Sequence, residues 1–153
     1  MRRLLLSAPL VVLVVVLSGC TPPNSTTTTA GGSARPGRAV YCTVIAEPPG
    51  KDGPGTSILG KGRYQCAATA DSLTMNVTLQ QRLTGGAWSP MVTRRFVATG
   101  AATTQKTTQT VAVPCNKGTF RTVVVSTVVS NGVAAKARTF NGPPVTDPCT
   151  KRF

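Results

Sequence analysis

The stretch LTMNVTLQ, residues 73–80, alternates strictly between apolar and polar side chains. Its apolar residues recur with a period of two: Leu73, Met75, Val77 and Leu79. In an extended chain this period places them on one face, whereas a helix would scatter them. The pattern therefore predicts an antiparallel strand with one face in a core and the other in water.

Six further runs show strand patterns, and no segment has convincing helical periodicity. The predicted strands cover about residues 40–46, 63–70, 72–83, 88–98, 107–113, 119–130 and 133–140. Asn131–Gly132 separates the last two runs, and this dipeptide is a strong signal for a type I′ hairpin. Seven short strands in roughly 100 residues predict an all-β fold, a seven-stranded antiparallel sandwich of immunoglobulin-like type.

The N-terminal segment has the features of a secretory signal peptide. Two arginines precede an apolar run over residues 4–17, which is shorter than the roughly 20 residues of a membrane-spanning helix. The run ends in LSGC, residues 17–20, which resembles the lipobox of bacterial lipoproteins. That resemblance implies cleavage after residue 19 and attachment of a diacylglycerol to the Cys20 thiol. The alternative is an ordinary signal peptide in which the cysteine has no role.

The rest of the chain divides into two parts. Residues 20–38 begin with the cysteine that the lipobox implies is lipidated and continue with Thr, Pro and Gly, so they are predicted to form a disordered tether. Residues 39–153 remain as one β-sandwich domain, large enough for its own core. The predicted organisation is a signal peptide over residues 1–19, the tether and this domain. The expected location is extracytoplasmic, with a lipid anchor in the cell membrane.

The predicted domain contains an even number of cysteines: Cys42, Cys66, Cys115 and Cys149. In an exported chain such a set predicts two disulfides. Four cysteines allow three connectivities, and their spacing alone does not choose between them.

A second resemblance covers about residues 62–130. The runs LTMNVTLQQR, GGAW and CNKGTFRT are similar to a set of small secreted β-rich proteins of actinobacteria, which mostly have no assigned function. The matching residues are Cys66, Trp88, Cys115, Gly118, Phe120 and Arg121. The resemblance implies structural roles and no activity. It implies a Cys66–Cys115 bridge, because both belong to the shared pattern, and leaves Cys42 for Cys149. We expect Trp88 in or near the core and Arg121 stacked or hydrogen-bonded within the sandwich.

Composition restricts the chemistry available to the chain. It has 17 basic residues, four acidic residues and no histidine, for a net charge of +13. Without histidine there is no Ser-His or Cys-His pair, and the commonest zinc ligand is absent. The acidic residues stand apart along the chain: Glu47, Asp52, Asp71 and Asp147. We therefore expect neither an enzyme nor a metal or cofactor site.

The positive charge suggests anionic partners at a bacterial envelope, such as lipid headgroups or wall polymers. Nucleic acid is not expected, because basic and aromatic residues are not interleaved. Arg94 and Arg95, adjacent on one predicted strand, are the expected contact residues. The other basic pairs are Lys61 with Arg63, Lys136 with Arg138, and Lys151 with Arg152. The plainer interpretation is that the charge supports only solubility and loose association.

The leading functional prediction is a non-catalytic, envelope-anchored lipoprotein that binds anionic envelope ligands. The alternative is a protein-directed inhibitor or accessory subunit that acts through residues 47–62. This segment is longer than a hairpin turn and carries Lys51 near prolines, as an inhibitory bait would. It also fits a flexible insertion without function.

Overall fold

The structure is a computed structural model that describes residues 25–30 by their backbone and residues 40–150 in full. Eleven β-strands form within these residues, together with one 3₁₀ turn at Ala101–Thr103. The strands are β1 (Ser25–Ala30), β2 (Val40–Ala46), β3 (Gly50–Lys51), β4 (Ser57–Cys66), β5 (Ala70–Arg82), β6 (Trp88–Gly100), β7 (Thr107–Pro114), β8 (Thr119–Ser130), β9 (Val133–Ala134), β10 (Arg138–Asn141) and β11 (Val145–Thr146).

The described strands form two antiparallel sheets. In the first, sheet A, the order is β1, β2, β4 and β7, and β3 lies on the same edge of β4 as β2. In the second, sheet B, the order is β10, β8, β5 and β6, and β9 and β11 pair with the two ends of β8. The chain crosses between the sheets after β4, after β6 and after β7. These crossovers are the Greek-key connections of an immunoglobulin-like sandwich, so the predicted all-β fold class is confirmed.

The core lies between the sheets and follows the predicted alternation. On β5, the four apolar residues of the alternating run are at most 1% exposed, and the polar residues between them are half-buried. Neighbouring strands complete the core with Val44, Ile58, Tyr64, Val111, Phe120, Val124 and Val128. Burying a side chain of this size stabilises the fold by about 1.5–3 kcal/mol, so these rows hold the two sheets together.

The fourth strand, β4, begins six residues before the predicted strand at residue 63. The sequence pattern missed its first half because Gly60 and Gly62 interrupt the apolar alternation. Both glycines are buried on the inward face of β4. A Cβ atom on Gly62 would lie 2.8 Å from the Met75 Cε atom and 2.9 Å from Val124 Cγ2. Large side chains of sheet B therefore fill the space beneath this part of the strand.

The predicted long loop over residues 47–62 is in fact a short hairpin followed by strand. Lys51 lies in β3 directly opposite Ile58 of β4. At the end of the pair, the Asp52 N–H donates to the Ser57 carbonyl oxygen at 3.0 Å. Residues 52–56 form the tip of the hairpin, so the irregular part is much shorter than the sequence predicted.

Residues 25–30, within the predicted disordered tether, form β1. They pair along β2, from Ser25 opposite Ile45 to Ala30 opposite Val40. Threonine is β-branched and favours extended backbone, and the pairing covers an edge of β2 that would otherwise stay open. At these six residues the structure differs from the prediction. Residues 1–24, with Cys20, and residues 31–39 and 151–153 lie outside the described part of the chain.

Among the described residues, disulfides join Cys42 to Cys66 and Cys115 to Cys149. The implied pairing of Cys66 with Cys115 and Cys42 with Cys149 is therefore wrong. Cys42 and Cys66 face each other directly in the register of β2 and β4. Cys115 follows β7, whose last residue pairs with the first residue of β4, at the opposite end from Cys66. At roughly 3.3 Å per residue the ten-residue strand separates its two ends by about 30 Å, too far for a bridge.

The two disulfides indicate an oxidising, extracytoplasmic compartment, since such bonds form and persist outside the reducing cytosol. Within residues 25–30 and 40–150, no helix has the length and hydropathy needed to cross a bilayer.

The predicted type I′ hairpin is confirmed at the end of β8. Asn131 and Gly132 have φ angles of 52° and 73°, and the flanking Ser130 and Val133 are paired. The Gly132 N–H also donates to Asp71 Oδ2 at 2.7 Å, which ties this turn to the start of β5. After the turn the predicted strand over residues 133–140 divides into β9 and β10, because the chain leaves the ladder between them.

Candidate functional site

The two arginines expected to contact a ligand project from opposite faces of sheet B. Arg94 lies opposite Val77 in the register of β5 and β6, and Arg95 lies opposite Asn76. Directly opposed residues share a face, and Val77 points into the core whereas Asn76 points outward. Both arginines are exposed, because β6 is an edge strand of the sheet. Their adjacency in sequence therefore does not make a single two-arginine contact on one face.

Arg94 instead occupies an inward-facing position on this edge strand. Its neighbours on the same row, Val92 and Phe96, pack against the core. A charged side chain in such a row opposes the docking of another strand, because pairing would bury the charge. This placement suits protection of the free edge of β6.

Sheet A brings a different set of basic side chains together. Lys61 and Arg63 are two residues apart on β4 and share its outward face. Lys106 lies one residue before β7, and Thr107 at the start of β7 pairs with Tyr64. Continuing this register places Lys106 beside Gln65, at the end of the same outward row. We call this outer side of sheet A, with Lys61, Arg63 and Lys106, the basic face.

The loop that carries Lys106 is fixed by a buried threonine. Thr103 is fully buried, its hydroxyl donates to the Gly100 carbonyl oxygen at 2.8 Å, and it accepts from the Ala70 N–H at 3.2 Å. The Gln65 Nε2 group donates to the Thr104 carbonyl oxygen at 3.2 Å. These contacts anchor the loop to β4 and β5, so Lys106 is presented from a defined backbone position.

One acidic side chain lies beside the basic face. Glu47 Oε1 forms an ion pair with Arg63 Nε, and the two side chains are 21% and 36% exposed. A pair this exposed contributes about 0–1 kcal/mol to stability. Because this contact is made at Nε, the terminal Nη groups of Arg63 can donate to another partner.

A shallow depression of about 160 Å³ opens on the basic face. Its lining residues are Thr43, Ile45, Arg63, Tyr64, Gln65 and Lys106. Two cationic groups, a hydroxyl and an amide thus border a small apolar floor. Such a set of groups offers charge-assisted donors to an anion and hydrogen-bonding groups to its neutral part.

The outer side of sheet B carries a stacked pair that is structural. The Arg121 guanidinium lies over the Trp88 ring at 4.3 Å from the centroid, and its Nε donates to Gln80 Oε1 at 2.8 Å. The expected stacking of Arg121 is confirmed. Trp88, expected in or near the core, is instead partly exposed and lies on the outside of the sandwich at the start of β6. A cation–π contact at such a site contributes about 0.5–1 kcal/mol.

Two of the isolated carboxylates fasten turns. Besides Asp71 at the type I′ turn, Asp147 Oδ1 accepts from the Gly118 N–H at 2.7 Å, and the Asp147 N–H donates to the Gly118 carbonyl oxygen at 2.8 Å. These two hydrogen bonds, one to the Asp147 side chain and one between backbone groups, hold the tail that carries Cys149 against the start of β8. In the described part of the chain, no cluster of three or more His, Cys, Asp or Glu side chains that could hold a metal ion occurs.

Of this basic face, the sequence predicts only the pair of Lys61 with Arg63. Lys106, Thr43 and Gln65 carry no local motif, and they meet only because β2, β4 and β7 are neighbours in sheet A. The remaining predicted pair within the described residues, Lys136 with Arg138, is exposed near β10, on the other sheet.

Comparison of this chain with known protein families, with curated proteins and with solved structures found no match.

Proposed function

We propose that this protein is a non-catalytic module of the cell envelope, anchored by lipid at Cys20, that binds anionic envelope ligands through the basic face. The observation that supports the proposal most is that Lys61, Arg63 and Lys106 share the outer side of sheet A, where Arg63 and Lys106 border an open depression and Glu47 pairs with Arg63. The ligand class is lipid headgroups or wall polymers. The domain needs no cofactor for this role.

Charge and location together make such binding effective. Near an anionic bilayer each Lys or Arg that reaches the surface contributes about 1 kcal/mol, and the attraction decays within a Debye length of about 8 Å at physiological salt. A lipid anchor at Cys20 would keep the basic face close to that surface. Arg94 and Arg95 add to the long-range attraction separately, from two faces of sheet B.

The test uses the chain over residues 21–153, which retains every described strand and both disulfides and which we call the lipid-free form. It is incubated with anionic vesicles, zwitterionic vesicles and wall fragments across a salt series. We expect binding to the anionic surfaces that falls steeply with salt. The double variant Lys61→Gln with Lys106→Gln removes two charge contacts. Its affinity for anionic surfaces should fall on the order of tenfold or more.

A matched control removes the same charge elsewhere. Lys136→Gln with Arg138→Gln takes two positive charges from the region of β9 and β10. This variant should keep most of the binding, because it lowers the net charge by the same amount but leaves the basic face intact. Equal losses in the two double variants would reject the basic face as the contact, and no binding to any anionic surface at low salt would reject the proposal.

The anchor is tested separately by mass spectrometry of protein extracted from membranes of the producing cell. The expected N-terminal peptide begins at Cys20 and carries acyl mass. Mature protein that starts elsewhere and lacks acyl mass would contradict lipid anchoring.

The alternative, an inhibitor or accessory subunit, depends on Lys51. This residue is exposed but lies in a paired strand, and the irregular tip of its hairpin is confined to residues 52–56. Lys51→Ala separates the two functions, because an inhibitor would lose its target whereas binding to anionic surfaces would scarcely change.

A further inference from the structure

We propose that the depression on the basic face takes one polyol phosphate unit, with its phosphate between Arg63 and Lys106 and its hydroxyl groups toward Gln65 and Thr43. This inference rests on the proposed function, since it names the ligand chemistry of the same site. Glycerol phosphate is the simplest compound with both parts, and it occurs as a headgroup of lipids or as a repeating unit of polymers.

The cationic side of the depression fits a phosphate better than a carboxylate. Arg63 and Lys106 come from different elements, β4 and the loop before β7, and border the same small space. A phosphate offers three terminal oxygens, so it can accept from both cations at once. Glu47 lies at the Nε atom of Arg63, so a ligand meets this guanidinium through its terminal Nη groups.

The neutral lining residues of the depression, Gln65 and Thr43, favour a ligand that carries hydroxyl groups. Gln65 must point its Nε2 group at the Thr104 carbonyl oxygen, since only a donor can pair with that acceptor. Its Oε1 atom is then left as an acceptor in a residue that lines the same depression as Arg63 and Lys106. An acceptor at that place repels a bare anion oxygen but accepts from a ligand hydroxyl, and the Thr43 hydroxyl can donate or accept.

The size of the depression is consistent with this ligand. Its volume of about 160 Å³ corresponds to roughly five water molecules at about 30 Å³ each. A bare phosphate ion would leave part of that space to water, whereas a three-carbon polyol attached to it covers the floor beside Ile45.

The experiment measures the affinity of the lipid-free form for three probes by titration: glycerol 3-phosphate, inorganic phosphate and glycerate. We expect glycerol 3-phosphate to bind tighter than inorganic phosphate by about fivefold, as one or two neutral hydrogen bonds would give. Glycerate should bind more weakly than glycerol 3-phosphate. Lys106→Gln should weaken binding of glycerol 3-phosphate about tenfold, whereas Lys136→Gln, an equal charge change at an exposed distant site, should leave it unchanged.

The variant Gln65→Leu tests the polyol contact specifically. It removes the acceptor and also releases the loop of Lys106. A more mobile loop would weaken the binding of glycerol 3-phosphate and of inorganic phosphate by the same factor. The readout is therefore the affinity for glycerol 3-phosphate divided by the affinity for inorganic phosphate. This ratio should fall from about five toward one. A ratio that stays unchanged in Gln65→Leu, or a ratio near one in the unaltered protein, would overturn the polyol assignment. Glycerate as tight as glycerol 3-phosphate would overturn the phosphate assignment.

The result separates this inference from the proposed function. If vesicle binding is salt-dependent and requires Lys61 and Lys106 while glycerol 3-phosphate does not bind, only the polyol phosphate inference fails. If both kinds of binding are absent, the proposed function fails as well. Competition between phosphatidylglycerol vesicles and a soluble glycerol phosphate oligomer then distinguishes a lipid source from a polymer source: the source that competes at lower phosphate concentration is the preferred one.

Discussion

Gly62→Ala is the sharpest test of how the two sheets pack. The added methyl group would lie 2.8 Å from Met75 Cε, 2.9 Å from Val124 Cγ2 and 3.1 Å from Val77 Cγ2. Carbon atoms in contact prefer about 3.5–4.0 Å, so all three contacts are too short. Met75 is flexible and can move its terminal methyl group, but valine side chains are stiff at χ1. The strain therefore passes to the backbone of β4, β5 or β8.

The expected magnitude is the difference between two effects. Overpacking of a core position costs about 1–3 kcal/mol. Replacing a strand glycine by alanine gains about 0.5–1 kcal/mol through the unfolded chain. We expect the free energy of unfolding to fall by about 1–2 kcal/mol. For a domain of this size that corresponds to a decrease of roughly 4–8 °C in Tm.

The assay is urea unfolding of the lipid-free form, followed by circular dichroism and by Trp88 fluorescence. Gly50→Ala is the control, because a Cβ atom there meets nothing within 4 Å. It should raise the free energy of unfolding by about 0.5–1 kcal/mol, because only the effect on the unfolded chain then acts. Val124→Ala opens space beside Gly62, so the double variant should be more stable than additivity predicts, by about 1 kcal/mol. Full additivity, or a Gly62→Ala protein as stable as the original, would refute the packing argument.

Three further predictions concern other parts of the fold. Thr122→Val should stabilise the protein by about 1 kcal/mol in urea unfolding, because Thr122 Oγ1 is buried without a hydrogen-bond partner among the described residues; a destabilised variant would mean that this hydroxyl has a partner. Replacing Cys115 and Cys149 by serine should lower the free energy of unfolding by about 4 kcal/mol in the chain-entropy model, given their sequence separation of 34. A loss under about 1 kcal/mol would show that the unfolded chain gains little conformational entropy when this disulfide is removed. Arg94→Val should promote association through the edge of β6, visible by light scattering with size-exclusion chromatography, whereas Arg95→Val should do so much less; equal behaviour would contradict the protective role of Arg94.

Local patterns determined much of the fold from the sequence alone. The alternation in residues 73–80 requires one buried face, and the Asn131–Gly132 pair requires positive φ angles, so both predictions depend only on neighbouring residues. The same reasoning failed at β4. Glycines at positions 60 and 62 resemble a loop until the side chains of the opposite sheet are seen to fill their place.

Pairings across the sheets were decided only by the tertiary structure. Cys42 meets Cys66 because β2 and β4 are antiparallel neighbours in a particular register. The connectivity implied by resemblance would have required a bridge along the whole length of β4. Register is a property of two strands together, and a sequence pattern in one of them does not contain it.

The candidate site shows the same division. Positive charge predicted an anionic partner, but adjacency in sequence led to Arg94 and Arg95, which the pleat of β6 sends to opposite faces. Lys106 joins Arg63 through a crossover between sheets and a loop anchored by buried Thr103. The amount of charge is set by composition, whereas its concentration at one place depends on which strands are neighbours, because side chains distant in sequence meet only after the sheets have formed.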